Sequence, residues 1–401
     1  MVGAVARRDA LRAGSLFGAS AMLMPTEQQF DAIRTGYDPD PSRSLSLRAE
    51  AYTDPVWFAL DGREIIAKSW QWICHAEKVR APGSYTTAEI AGNPIVVIRD
   101  PEGVLRAFYN VCKHRAHPVL SGEGKVQRIV CPYHAWRYRL DGQLAGAPLT
   151  GNLKDFATGE IRLTPVQVEE FSGFIFVNLD SSVPPLRTLS GALGDEVHHW
   201  APDVEQLTFG HRLSYEIKSN WKNVVDNFLE CYHCPGAHKD FCTLVDMKTY
   251  KVSTHGIYSS HMAEAGKTQN SAYDTSAAKV RTHAVWWVWP NTCLMRYPGR
   301  SSMIVLHIIP VSVDRTLETY DFFLETPEPD DLEKQAIHYL DTVLQAEDIA
   351  LVENVQRGMG TPAFTQGRIV HDPQGSGMSE HALHHFHGLV LEAYGRGRRA
   401  V

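Results

Sequence analysis

The 401-residue chain has no uninterrupted apolar run of about 18 residues, so no membrane-spanning helix is expected. It has no long block of one sign of charge either: 39 Lys+Arg stand against 46 Asp+Glu, for a net charge of −7. A nucleic-acid binder normally carries a basic patch, so that class is set aside. There is no internal repeat and no low-complexity tract, which leaves ordinary globular domains, two or three by length. Apolar residues at 44% and charged residues at 21% are unremarkable. What is abundant is histidine, at 19, together with seven cysteines that mostly sit near histidines. An odd number of thiols so placed points to metal ligation rather than to a disulfide framework.

Arg7-Arg8 followed by Leu11 to Met24 has the outline of a twin-arginine export signal with a short, broken apolar segment. No convincing small-x-small cleavage site follows, and Met22 and Met24 offer alternative starts. Residues 1–25 are therefore read as an extension from an upstream start, in preference to export, and the protein is expected to be cytoplasmic. Residues 54–78 look helical and Trp-rich. From Tyr85 to Asp180, short alternating runs punctuated by Asp-Gly and Pro (NPIVVIRD, VLRAFYNVC, RIVCPYHAWRYRLDG, FSGFIFVNLD) predict antiparallel strands and hairpins. A connector at 180–191, a helix from Asn220, a polar loop at 253–277, further strands and a long helix over 330–358 complete the reading. The layout is a small all-β insert (61–170) within a larger α+β domain built from 26–60 and 171–401.

Two short segments, Cys112-Lys-His114 and Cys131-Pro-Tyr-His134, each end a predicted strand and each present one thiolate and one imidazole. Zinc sites usually repeat one residue type within a ligand pair. A mixed pair on each loop suits two metals of unequal character, as in a [2Fe–2S] centre of Rieske type, where two cysteines hold one iron and two histidines the other.

The string NWKNVVDNFLECYHCPGAH puts Trp221, Val224, Val225, Phe228 and Tyr232 at helical spacing, with Asn220 as N-cap. Glu230 and His233, three apart, are expected on one side of that helix, which Pro235-Gly236 should end so that His238 turns back toward His233. Two imidazoles plus one carboxylate form the ligand set of non-haem Fe(II) oxygenases. A zinc knot of Cys231, Cys234, His238 and Cys242 is the rival reading. For the carboxylate, the last helix carries an apolar stripe of Ile337, Leu340, Leu344, Leu351 and Val355. Asp348 falls four after Leu344 and three before Leu351, and Glu347 borders the other side, so periodicity alone favours Asp348 only weakly.

With these motifs in place the chain resembles the α-subunits of Rieske-type non-haem iron oxygenases. The resemblance is strongest to the carnitine, glycine betaine and stachydrine group, through FYNVCKHRAHPVLSGEG, CPYHAW, NWKNVVDNFLECYHC–AH, EDIALVENVQRG, GRIVHD and SGMSEH. It covers roughly residues 50–396. It implies an α+β fold in which a Rieske domain is inserted in a catalytic domain of helix-grip type, with an antiparallel sheet and flanking helices. It also implies one [2Fe–2S] cluster on Cys112, His114, Cys131 and His134, and one mononuclear Fe(II) on His233, His238 and Asp348. Glu230 stands where ring-hydroxylating members have Asp, and by the resemblance it carries electrons from His134 of a neighbouring subunit in a head-to-tail homotrimer, the two centres within one protomer being too far apart. With no GxGxxG motif in the chain, electrons are expected from a separate flavin/iron–sulfur reductase supplied by NAD(P)H. The implied reaction is O2-dependent hydroxylation of a small quaternary amine, ending in N-demethylation or C–N cleavage. An aromatic ring-hydroxylating dioxygenase is the alternative. A permanent cation calls for aromatic faces or carboxylates. Trp287 and Trp289, on one face of a predicted strand, are candidates with Phe228, Tyr232 and Tyr297. Arg296 and Arg300 could meet a substrate carboxylate, with surface roles as the simpler alternative.

Overall fold

The computed structural model describes residues 23–399, so the segment carrying Arg7-Arg8 lies outside the described residues. The chain divides into two compact units, one running from Ile66 to Leu186 and the other formed by the chain through Ile65 with Arg187 onward.

In the smaller unit seven strands form an antiparallel sheet in the spatial order Gln71–His75, Phe174–Asn178, Pro165–Phe171, Leu105–Tyr109, Asn93–Arg99, Ser84–Ile90, Glu123–Lys125. A second, three-stranded sheet joins Ile129–Val130, Arg137–Tyr138 and Leu144–Gly146. Val96, Ile98 and Phe108 of the first sheet and Ile129, Tyr138 and Leu144 of the second share one core, into which Cys112 and Cys131 are also packed. The unit runs beyond residue 170 because Phe174–Asn178 pairs with both Gln71–His75 and Pro165–Phe171. The helical reading of 54–78 holds as far as Lys68 and is then broken by a strand. Pro55–Leu60 is helical, capped by Asp54 with Pro at the first turn, where a missing N–H costs nothing. Gln71–His75 is a buried strand, paired antiparallel with Phe174–Asn178 through an irregularity between Trp72 and Cys74.

The larger unit is built on a seven-stranded antiparallel sheet ordered Thr208–Ile217, Arg315–Leu324, Ser302–Ser312, Thr292–Arg296, Thr282–Val288, Tyr258–Glu264, Lys251–His255. The last two strands fall in the segment expected to be a loop. Their polar side chains pair in register from Lys251 opposite Met262 to His255 opposite Tyr258, so pairing with the sheet overrides a loop-like composition. Helices Trp221–Phe228, Gln345–Met359 and His381–Arg399 pack on this unit. A fully buried ion pair of Lys222 with Asp61, joined by Trp221 Nε1 (3.0 Å) and the Tyr394 hydroxyl (2.7 Å), ties the first helices to the last.

The long C-terminal helix pair contains a surprise. Asp331–Tyr339 is α-helical, Leu340–Leu344 is a π turn, and Gln345–Met359 resumes the α-helix. A π turn inserts one extra residue and advances the phase by about 100°. The apolar stripe therefore slips by one position. Leu351 and Val355 are exposed (37% and 46%), while Gln345 and Val352 are buried. Among the described residues no helix is long and apolar enough to cross a membrane.

Candidate metal centres and active site

In the smaller unit the two Cys/His loops have the same backbone design. Cys112 N–H donates to His117 O (2.9 Å) and Ala116 N–H to Cys112 O (3.0 Å); Cys131 N–H donates to Trp136 O (2.9 Å) and Ala135 N–H to Cys131 O (3.0 Å). Ala116 and Ala135 both take positive φ (58° and 55°), which closes each loop tightly. Both thiols are buried, whereas His114 and His134 are exposed with ring centroids 4.6 Å apart. Trp136 stacks flat on His114 (4.9 Å, 7°), and the Tyr138 hydroxyl lies 3.2 Å from Cys112 Sγ. Burial pushes the Cys131 thiol up, against the backbone N–H groups of Tyr133 and His134. Two buried thiols backing two outward imidazoles fit a [2Fe–2S] cluster whose histidine edge faces out.

In the larger unit the helix from Trp221 stops at Phe228, earlier than expected, with Asn220 Oδ1 accepting from Lys222 N–H (3.0 Å) as its cap. Glu230 and His233 thus lie in the turn beyond the helix. Pro235 and Gly236, expected to terminate it, instead belong to a separate short helix, Cys234–Ala237, with Pro in its first turn. Cys231 and Cys234 form a disulfide across this turn. That pairing goes against the expectation of metal-bound thiols and removes both from the zinc-knot alternative.

His238 does return to His233. His233 Nε2 lies 3.1 Å from His238 Nε2, and Asp348 Oδ1 lies 2.9 Å from His238 Nε2 and 3.6 Å from His233 Nε2. Ligand atoms about 2.1 Å from one centre and at right angles would be about 3.0 Å apart, so this triangle suits three adjacent corners of one metal's coordination sphere. Each imidazole donates its other nitrogen to an acid: His233 Nδ1 to Glu230 (2.6 Å) and His238 Nδ1 to Glu347 (2.8 Å). These bonds fix the tautomers that aim both Nε2 atoms inward. Asn227 Nδ2 donates to Asp348 (3.0 Å). In the metal-free state, burial opposes protonation of His233, but Asp348 and Glu230 outweigh it and raise the imidazole to about 10. Asp348 is held down to about 2 because its two histidines outweigh burial. Glu347, left open beside Asp348 in sequence, is thus the orienting partner of His238.

The triad borders a cavity of about 80 Å³, with room for several waters. Phe228, Phe241, Tyr250, Tyr297 and Tyr320 line it, with His261, His283, Gln345 and Glu318. Of the aromatic candidates, Phe228 and Tyr297 reach it. Trp287 and Trp289 do not: Trp287 shares a strand face with the cavity residues His283 and Val285 but lies further along, where both tryptophans pack on Phe386 (5.5 and 5.9 Å). Tyr232 points outward at 52% exposure. Arg296 is buried on Asp203 (3.0 Å) and Arg300 pairs with Asp330 (2.6 Å), and neither lines the cavity. Glu318 and His283 were invisible to periodicity, being single polar residues in otherwise apolar strands.

A Cys2His2 loop pair in one unit and a two-histidine, one-carboxylate triad in the other define an iron oxygenase with an electron-storing centre. Residues 69–157 match the Rieske [2Fe-2S] domain and residues 204–396 the catalytic domain of ring-hydroxylating α-subunits. The carnitine monooxygenase oxygenase subunit of Escherichia coli (strain K12) is 37% identical over 88% of this chain and 95% of its own. The chloroplastic choline monooxygenase of Beta vulgaris is 33% identical over 89% and 79%. A solved quaternary ammonium Rieske monooxygenase superposes with a TM-score of 0.83 at 33% identity, covering 89% of this chain and 98% of that one. The chain belongs to the Rieske non-haem iron oxygenase α-subunit family, whose members carry a [2Fe–2S] cluster and a mononuclear iron.

Proposed function

We propose that this protein is the oxygenase component of a monooxygenase that hydroxylates a small quaternary ammonium compound, with electrons arriving from a separate reductase. The observation that carries the reading is the pairing of the His233–His238–Asp348 triangle with a small cavity walled by aromatic faces. Such a wall suits a cation that cannot donate hydrogen bonds, and the cavity's size favours a compact ligand over a fused aromatic ring system. The names of the relatives agree with that substrate class.

When bound, the cluster on Cys112, His114, Cys131 and His134 supplies single electrons, and the iron on His233, His238 and Asp348 supplies dioxygen activation. Glu230 and Glu347 keep both iron-facing imidazoles in the ligating tautomer. The aromatic walls exclude water and hold the substrate against the metal-facing edge. Glu230 also offers a path for electrons, from His134 of the partner subunit to His233, in a homotrimer. Its carboxylate on His233 Nδ1 and the outward imidazole of His134 support that role. Hydroxylation at carbon beside nitrogen gives a carbinolamine, which collapses with loss of formaldehyde or with C–N cleavage. A cytoplasmic location accords with a reductase drawing on NAD(P)H.

The test is anaerobic reduction of the iron-loaded enzyme, then O2 with carnitine, glycine betaine, stachydrine and choline, measuring formaldehyde, trimethylamine and aldehyde products. Product from at least one amine and none from naphthalene is expected. Turnover of naphthalene alone would favour the ring-hydroxylating alternative.

A further inference from the structure

The cavity holds an acid that the metal chemistry leaves unused. Glu318 sits mid-strand in Arg315–Leu324, 2% exposed, with Tyr320 two residues on and lining the same cavity. Gln345 Nε2 donates to Glu318 Oε2, and Gln345 Oε1 in turn accepts from the Tyr320 hydroxyl (2.6 Å). Among the described residues no Lys, Arg or His forms an ion pair with this carboxyl, and no Lys or Arg lines the cavity. A divalent iron on the triad would be offset by Asp348 and by the acids on the far nitrogens of its histidines, Glu230 and Glu347. Glu318 then has no counter-charge. Burying a carboxylate without one is costly, and such a cost persists in a folded protein only where something else is gained. Burial, then the nearby charge of Asp348, hold the carboxyl well above the usual carboxylate range, in keeping with a missing cation.

A second buried group in the same cavity lacks any hydrogen-bond partner among the described residues. His283 is 3% exposed, ringed by Phe241, Tyr250 and Tyr297, and neither ring nitrogen has a hydrogen-bond partner among the described residues. Burial brings it down to about 3, so it is neutral. The cavity thus offers one unpaired acid, one neutral polar group and aromatic faces, but no base for a carboxylate.

Resting on the function proposed above, we infer that Glu318 is a specificity-determining residue: it takes the substrate's ammonium head, and the cavity favours net-cationic quaternary amines over zwitterionic ones. The probes are choline, glycine betaine and 3,3-dimethylbutan-1-ol, the uncharged shape-mimic of choline. Binding is measured by anaerobic calorimetry on the iron-loaded, reduced enzyme, where no turnover occurs. In the wild type, choline should bind at least about tenfold more tightly than glycine betaine or the alcohol. In Glu318→Gln the choline affinity should fall about ten- to hundredfold while that of the alcohol stays within about twofold, with iron content and Rieske absorption unchanged. Glycine betaine binding as tightly as choline, or an unchanged choline-to-alcohol ratio in Glu318→Gln, overturns the inference. The wild-type series decides the matter by itself if the variant does not fold. Failure of every quaternary amine to bind would instead sink the proposed function, whereas tight binding of a betaine would sink only the role of Glu318.

Discussion

The two metal centres are built from the same kind of imidazole placed in opposite surroundings. His114 and His134 come from two look-alike loops close in sequence and face outward, with no acid of their own protomer paired to them among the described residues. His134 is held below the ordinary histidine range by desolvation and by the neighbouring His114 and Arg115. His233 and His238 are gathered with Asp348 from across more than a hundred residues, and each leans on a glutamate. The contrast separates tasks. An outward imidazole edge exchanges electrons with whatever docks there, whereas an acid-braced imidazole keeps a fixed aim into a cavity.

The strongest test of that contrast is to remove an inward ligand. His233→Ala should abolish turnover, at least about 10³-fold, and lower iron from about three to about two per chain while the Rieske absorption persists. Loss of that absorption would mean the two centres are not independent. Glu230→Gln should keep both metals and the substrate affinity yet slow single-turnover product formation about 10- to 100-fold; an unchanged rate would leave the glutamate only a brace.

Acidity gives a third handle, on the inward site alone. Because the folded metal-free value of His233 is raised above the ordinary 6.5, the stabilisation from its charged network is complete below about pH 6.5 and fades as pH rises through about 10. Iron needs the neutral ring, so its uptake displaces a proton. Apparent Fe(II) affinity at this site should climb by up to about tenfold per pH unit between about pH 6 and 9. A flat profile in metal titrations would contradict this proton competition. Away from both centres, Lys222→Met strands the buried Asp61 and should destabilise the larger unit by about 3–5 kcal/mol in denaturant unfolding, without changing the iron ligands. The smallest effect is expected from Trp287→Phe, which should leave KM within about twofold because the ring lies in the core beside Phe386. A large rise in KM there would restore the tryptophan to the binding wall.

The outward centre was the more legible of the two in sequence. Its ligands sit in contiguous strings between alternating strands, and local spacing carries the geometry. The inward centre was legible for His233 and His238, whose return depends on a nearby turn, although the helix ends at Phe228 rather than at Pro235. Asp348 needed the family resemblance because the period favoured it only weakly over Glu347, and the π turn, which no 3.6-residue period anticipates, put Leu351 and Val355 outside. Cavity residues such as Glu318, His283 and Gln345 escaped for a similar reason. Which strand face meets which helix depends on long-range pairing, and an isolated polar residue in an apolar strand looks locally like a packing defect.

The widened turn at Leu340–Leu344 makes the placement of Asp348 a matter of counting. Deleting one residue there would only close the bulge and keep the downstream phase, but substitutions that rewound the turn as regular α-helix at unchanged length would swing Leu351 back toward the interior and carry the acid about a quarter of a revolution away from both imidazoles. Every side chain of the active site would survive such an edit, yet the trio would no longer converge. For this family of sites, the length of a helix turn is therefore as much an inherited instruction as the identity of the ligand it delivers.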